Sequence, residues 1–124
     1  MAALPPVIDP QEKQLRLAGY WHPGLLGMVN DTAVKLARIQ GEFVWHSHEH
    51  EDEMFLVLEG RLRMEFREGS RDLAPGQMII VPRGMEHRPV APDGDCLLLL
   101  VEPATTVNTG NVRSELTRDS VELL

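Results

Sequence analysis

From Leu25 to Val101 the apolar stretches are short and are separated again and again by glycine or proline, and this interval constrains the fold more than any other feature. Candidate strands are Leu25 to Asn30, Val34 to Ile39, Phe43 to His48, Met54 to Leu58, Leu62 to Arg67, Met78 to Val81, His87 to Val90 and Cys96 to Val101. Between them lie Gly41-Glu42, Glu59-Gly60, Gly69-Ser70, Pro75-Gly76, Pro82-Arg83-Gly84 and Asp93-Gly94. Many short strands with such punctuation predict an all-β sandwich or barrel. The longest apolar run, Cys96 to Val101, is six residues, far short of the ~20 that a membrane-spanning helix needs.

The flanks read differently. Asp9-Pro10-Gln11-Glu12 is a helix start, with Asp9 as cap, Pro10 in the first turn and Glu12 completing a capping box; Gly19 is the expected stop. The polar tail from Glu102 onward carries Pro and Gly early and predicts a short helix late, packed on the barrel. The expected organisation is therefore residues 1–24 as an N-terminal segment, 25–101 as a barrel and 102–124 as an extension. A chain of 124 residues suits one domain and buries roughly two thirds of its unfolded surface.

Composition narrows the function. A formal net charge of −7 opposes binding to a phosphate backbone, which needs a basic surface to displace counterions, so no nucleic-acid partner is expected. The start, MAALPPVIDP, has neither a basic nor an apolar leader region, and a cytoplasmic location is expected. The lone Cys96 excludes an internal disulfide framework and, opening the run CLLLLV, reads as a buried hydrophobe. Met54, Met64, Met78 and Met85 read as core filler.

Strand parity sets the candidate chemistry. Alternate residues face opposite sides, so Phe43 to His48 places Val44, His46 and His48 on one face and Phe43 and Trp45 on the other. Glu53 follows His48 after four residues, and His87 lies on a separate strand. Imidazole nitrogens with one carboxylate suit iron, copper, nickel, zinc or manganese. His50 shares the parity, but the approaching turn makes it an exposed residue or a neighbour of the ligand set. His22 reads as a loop residue. Arg83 and Arg88 are either surface residues or contacts for an anionic substrate.

Reading from Gly41, four residues precede His46-x-His48, four more lead to Glu53 and six to Gly60; after fifteen residues come Gly76, five residues, Pro82-x-Gly84, two residues and His87. This pattern resembles the two signature motifs of the cupin superfamily, most closely the small single-domain "cupin 2 conserved barrel" proteins. The family's first motif usually has five residues before its first histidine, and its second often ends in Asn where this chain has Ala91. The resemblance implies a double-stranded β-helix (jelly-roll) barrel in which His46, His48, Glu53 and His87 coordinate a divalent transition metal. It also implies that Gly60, Gly76 and Gly84 meet backbone requirements. Two functions follow from it: a metal-dependent dioxygenase, lyase or isomerase on a small oxygenated substrate, with Glu53 as candidate acid–base group, or a non-catalytic small-molecule binding barrel. Homodimerisation is the family's habit, for which Leu25, Leu26, Phe43, Trp45 and Leu4 to Ile8 offer apolar material. A cupin regulator would need a helix-turn-helix domain that residues 1–24 are too few to supply.

Overall fold

The structure, a computed structural model, describes residues 3–124. Asp9 caps a short helix α1 (Pro10–Lys13), its carboxylate accepting the Gln11 N–H at 3.0 Å. One 3-10 turn, Gln14–Arg16, follows and the backbone becomes extended at Leu17, so the helix ends before Gly19. Glu12 pairs with Arg16 at 3.4 Å.

Eight strands follow: β1 (Gly24–Val29), β2 (Thr32–Glu42), β3 (Glu53–Glu59), β4 (Leu62–Phe66), β5 (Gly69–Leu73), β6 (Met78–Val81), β7 (His87–Pro103) and β8 (Glu122–Leu123). β7 is the spine. Along one edge it pairs with β2 from Thr32↔Pro103 to Glu42↔Val90. Its other edge pairs with β4 near His87 and with β3 from Leu97 to Val101. Two sheets thus diverge from one strand and curl into a jelly roll, with β6 on β3, β5 on β4 and β1 on β2.

Several expectations change here. The two strands His87 to Val90 and Cys96 to Val101 are one, because the Asp93-Gly94 break is absorbed as a bulge: Ile39 pairs with Cys96 and Gly41 with Ala91. The turn expected at Gly69-Ser70 opens a further strand, β5; four of its five residues are exposed, and an edge strand wetted on both faces has no apolar alternation to detect. The tail forms turns rather than a late helix, then adds β8 parallel to β1. The segment Phe43 to His48 is not a regular strand. Phe43 N–H donates to the Pro89 carbonyl and His46 exchanges both backbone bonds with His87, so Val44 and Trp45 stand opposite Arg88 alone. Pro89 has no N–H to continue the ladder, and the extra residue is a bulge.

That bulge overturns the parity of the aromatics. Phe43 is buried beside His46, their rings 5.3 Å apart, and stacks on Trp21 at 4.6 Å. Trp45 remains outside, where Arg67 lies 3.9 Å and Arg88 5.1 Å from its ring centre, a cation–π cover.

The core fills the barrel with Ile39, Phe55, Val57, Leu62, Met64 and Leu98. A second cluster of Leu26, Leu36 and Leu97 lies on the opposite face of β2 and β7. Cys96 is fully buried, as expected, and burial pushes its thiol up to about 12. Of the four methionines expected in the core, Met64 is buried and Met54 half-buried, whereas Met78 and Met85 are exposed. Met78 sits on β6, which pairs only with β3, and Met85 lies in a turn.

Candidate metal centre

The antiparallel bridge between His46 and His87 sets two imidazoles side by side, because opposed residues of such a bridge have Cβ atoms about 5 Å apart. Their ring centres are 4.3 Å apart. His48 follows two residues later with its ring 4.9 Å from that of His46. Its carbonyl accepts the Gly84 N–H at 2.8 Å, so the Pro82–Met85 turn fixes the histidine segment. Gly60, Gly76 and Gly84 have φ of +80°, +86° and +80°. At Gly84 this conformation closes the turn that delivers His87, and glycine adopts it without steric penalty. Glu53 enters as the first residue of β3, opposite Val81.

All four side chains are buried, and one donor atom from each lies within 4.8 Å of the others. An ion bonded at about 2.1 Å spans donors up to about 4.2 Å apart, so a small adjustment admits one.

The hydrogen bonds fix which nitrogen faces inward. His46 Nδ1 and His87 Nδ1 each lie 2.9 Å from a backbone carbonyl, of Val44 and Met85. A carbonyl only accepts, so both Nδ1 atoms carry the proton and, in the neutral rings, both Nε2 atoms present lone pairs to the cluster. This is the outer-shell arrangement that orients metal-binding imidazoles. Glu53 Oε1 lies 3.2 Å from His87 Nε2 and 2.9 Å from His48 Nε2. The His48 contact lacks hydrogen-bond alignment, and Nε2 of His48 is a buried nitrogen without a partner. A neutral imidazole lone pair against a carboxylate oxygen is repulsive unless a cation joins them.

Protonation is one way to supply that cation, and burial resists it at His46, whose pKa falls to about 4 with the adjacent His87 adding to the effect. Burial also acts to raise the Glu53 carboxyl, but where His48 and His87 carry a proton toward it their hydrogen bonds and charge outweigh burial and hold it below the ordinary carboxylate range. A divalent ion meets the same demand at neutral pH. The donor set, three imidazoles and one carboxylate, fits such a group.

The other sequence candidates are elsewhere. His50 is exposed, its Nε2 3.8 Å from Glu49. His22 accepts from Arg118 Nη2 at 2.8 Å. Arg83 is bound to Asp52 at the surface, and Arg88 to Glu65 at 2.6 Å; neither lines the cavity.

A cavity of about 140 Å³ opens beside the cluster, walled by Phe43, Phe55, Ile39, Leu98 and Leu100, with His46 and Glu53 at its metal end. It also contains four charged groups that the motif pattern does not mark: Lys35, Glu102, Arg118 and Asp119. Lys35 Nζ lies 3.5 Å from Glu102 Oε2, both side chains buried. Burial, then the charge of Glu53, push the Glu102 carboxyl up to about 7 against the pull of Lys35. Parity holds the missed signal. Lys35 alternates with Ala33, Ala37 and Ile39, and Glu102 with Leu98 and Leu100, all of them buried, so each charge occupies a core-facing position.

The family profile described as "Cupin domain" matches residues 35–102. A cupin-2 domain containing protein from Shewanella frigidimarina is 38% identical, with 78% of this chain and 94% of that chain aligned at a TM-score of 0.75. Protein NMB1881 from Neisseria meningitidis is 26% identical over 79% of this chain and 99% of its own, with a TM-score of 0.71. The uncharacterized protein YdbB of Bacillus subtilis is 41% identical over 61 residues, 48% of this chain, and the match spans about half, 54%, of that relative.

Proposed function

The chain belongs to the cupin domain family, and from that premise we propose that it is a metal-dependent enzyme acting on a small oxygenated organic substrate by dioxygenase-, lyase- or isomerase-type chemistry. The observation that carries this reading is the buried convergence of His46, His48, Glu53 and His87 at one end of a cavity. Iron, manganese, nickel, copper or zinc would be held by the three Nε2 atoms and the Glu53 carboxylate. Bound there, such an ion acts as a Lewis acid on a substrate oxygen and lowers the cost of proton loss. The protein's own part is to orient the imidazoles through the Val44 and Met85 carbonyls, to exclude water with Phe43 and Phe55, and to offer Glu53 as the one acid–base group of the donor set.

Elemental analysis of the purified protein beside His46→Ala and His87→Ala tests the site, followed by turnover assays with diketones, catechols and hydroxy acids. Near-stoichiometric metal that is lost in both variants, together with turnover of any of these, is the expected result. A protein that takes up no metal even after reconstitution would defeat the reading. A second reading is a non-catalytic binding barrel, favoured by the fact that Glu53 is itself in the donor set and no other acid is. Metal uptake and ligand binding without turnover would select it.

The same reading makes the protein a cytoplasmic homodimer with no nucleic-acid or membrane partner. No helix among the described residues is long and apolar enough to cross a membrane. For the dimer, Leu4 and Val7 are 90% and 95% exposed, whereas Leu26 and Phe43 are used inside the protomer. A monomer by light scattering at micromolar concentration would remove that part of the proposal.

A further inference from the structure

Among the described residues, the buried side-chain polar atoms without a hydrogen-bond partner are His48 Nε2, Glu102 Oε2 and Arg118 Nε. The first belongs to the metal cluster, and the residues of the other two line the cavity beside it. Native proteins leave few buried polar groups unsatisfied, and each one costs free energy. With the His48 nitrogen left to the metal cluster, the two orphans on residues of one cavity wall point to a ligand that completes them.

The chemistry of the orphans describes that ligand. Arg118 is already committed through Nη1 to the carbonyls of Glu115 and Thr117 and through Nη2 to His22, so its remaining Nε–H needs an acceptor. Glu102 lies near Lys35 but accepts no aligned hydrogen bond from it at Oε2, so it needs a donor. Both demands are met by a hydroxyl beside a carboxylate. Charge favours the anion as well. With a divalent ion on the cluster, Lys35 and Arg118 leave positive charge in excess of Glu53 and Glu102. The fifth charged group of the wall, Asp119, is bound to Arg113 at 2.6 Å on the exposed side. Size is set by the 140 Å³, room for about ten water-sized groups and hence about ten non-hydrogen atoms. The remaining wall is mainly aliphatic and aromatic, with Thr106, Asn108 and Ser120 as its uncharged polar residues, which suits a largely apolar body.

We propose that Lys35, Glu102 and Arg118 form the recognition site for a small α-hydroxycarboxylate with an apolar side chain, its carboxylate on Arg118 and Lys35 and its hydroxyl donating to Glu102. Because its charge argument includes the ion, this assignment rests on the metal reading and names the substrate class for it. Lys35 and Glu102 are specificity-determining residues in this account. They are diagonal neighbours across β2 and β7, since Lys35 pairs with Leu100 and Ala33 with Glu102.

The test is titration calorimetry on the zinc-loaded protein with α-hydroxyisocaproate, isocaproate, which lacks the hydroxyl, and α-hydroxyisocaproamide, which lacks the charge. The hydroxy acid is expected to bind about tenfold or more tightly than either analogue, the effect of one hydrogen bond to a charged group. Arg118→Met is expected to weaken it by a similar factor with zinc content unchanged. Removing Glu102 alone would strand a buried Lys35, so the companion variant is Lys35→Met/Glu102→Leu, an apolar replacement of the pair that commonly folds well. It is expected to lose the preference for the hydroxyl and keep zinc. A zinc-loaded wild type that binds the three probes alike, or none, would overturn the proposal while leaving the metal site standing. So would variants that retain the full preference. A wild type that takes up none of iron, manganese, nickel, copper and zinc would remove the metal reading, and this assignment with it.

Discussion

Asn111 closes a ring of two hydrogen bonds on Ser47, the residue between the two histidines of the first motif: its Oδ1 accepts the Ser47 N–H at 2.9 Å and its N–H donates to the Ser47 carbonyl at 3.0 Å. Gly110, just before it, has φ of +55°, and a Cβ there would lie 2.1 Å from the Ser47 oxygen and 3.2 Å from His48 Nδ1. Residues 110 and 111 therefore hold the segment that carries His46 and His48. Gly110→Ala is expected to destabilise the fold by about 1–3 kcal/mol through backbone strain and to weaken metal binding, because His48 must move. Asn111→Ala is expected to cost about 1–2 kcal/mol with a smaller loss of metal affinity. Denaturation curves with parallel zinc titrations check both, and unchanged zinc affinity in Gly110→Ala would show that the clamp does not position His48.

Zinc should stabilise the wild type by mass action, because only the folded state assembles the four donors. At one hundred times the dissociation constant the gain is about 2.7 kcal/mol, a rise in melting temperature on the order of 10 °C for a domain of this size. Excess EDTA should reverse it. His87→Ala should show little rise, since the bridge partner of His46 is then lost. An equal rise in wild type and His87→Ala would place the bound zinc elsewhere.

The barrel and its donor set were legible in the sequence because both are periodic. Gly and Pro spacing marks the turns, and the histidine and glutamate intervals survive as local motifs. What the sequence concealed was non-local. The bulge at Val44-Trp45 depends on Pro89, a residue on another strand, and it decides that Phe43 faces the metal end. β5 has no apolar pattern because it is a wet edge. Lys35 and Glu102 are far apart in sequence and become one feature only through the β2–β7 register, although each violates the apolar parity of its own strand. Arg118 comes from turns whose course no periodicity predicts.

Cys96 should be inert in the folded protein. Its thiol is fully buried and held near 12, so the thiolate that alkylating reagents attack is scarce at neutral pH. Iodoacetamide at pH 8 is expected to leave the native protein unmodified over hours and to label it fully in denaturant, as read by intact mass. Rapid labelling under native conditions would mean that β7 opens near Cys96, which its pairing with both β2 and β3 does not allow.

Glu102 gives a pH dependence of stability whose sign follows from its upward shift. With a folded pKa of about 7 against an ordinary value of 4.5, the folded state of the metal-free protein holds the proton through a range in which the unfolded chain has released it. More protons bound by the folded state means that stability falls as pH rises, here from about 4.5 to about 7, and levels off above. The wild type should therefore lose a few kcal/mol relative to Lys35→Met/Glu102→Leu across that window, measured as the difference between their urea-unfolding free energies at pH 5 and pH 8. Taking the difference between the two proteins removes the part of the opposite contribution of Glu53 that does not depend on Glu102; the depressed Glu53 carboxyl stabilises the fold above its ordinary range. Zinc should shrink the effect, because a divalent cation beside Glu53 favours the ionised form of Glu102 as well. Parallel pH profiles for the wild type and Lys35→Met/Glu102→Leu would mean that the carboxylate stays ionised in its pair with Lys35 throughout.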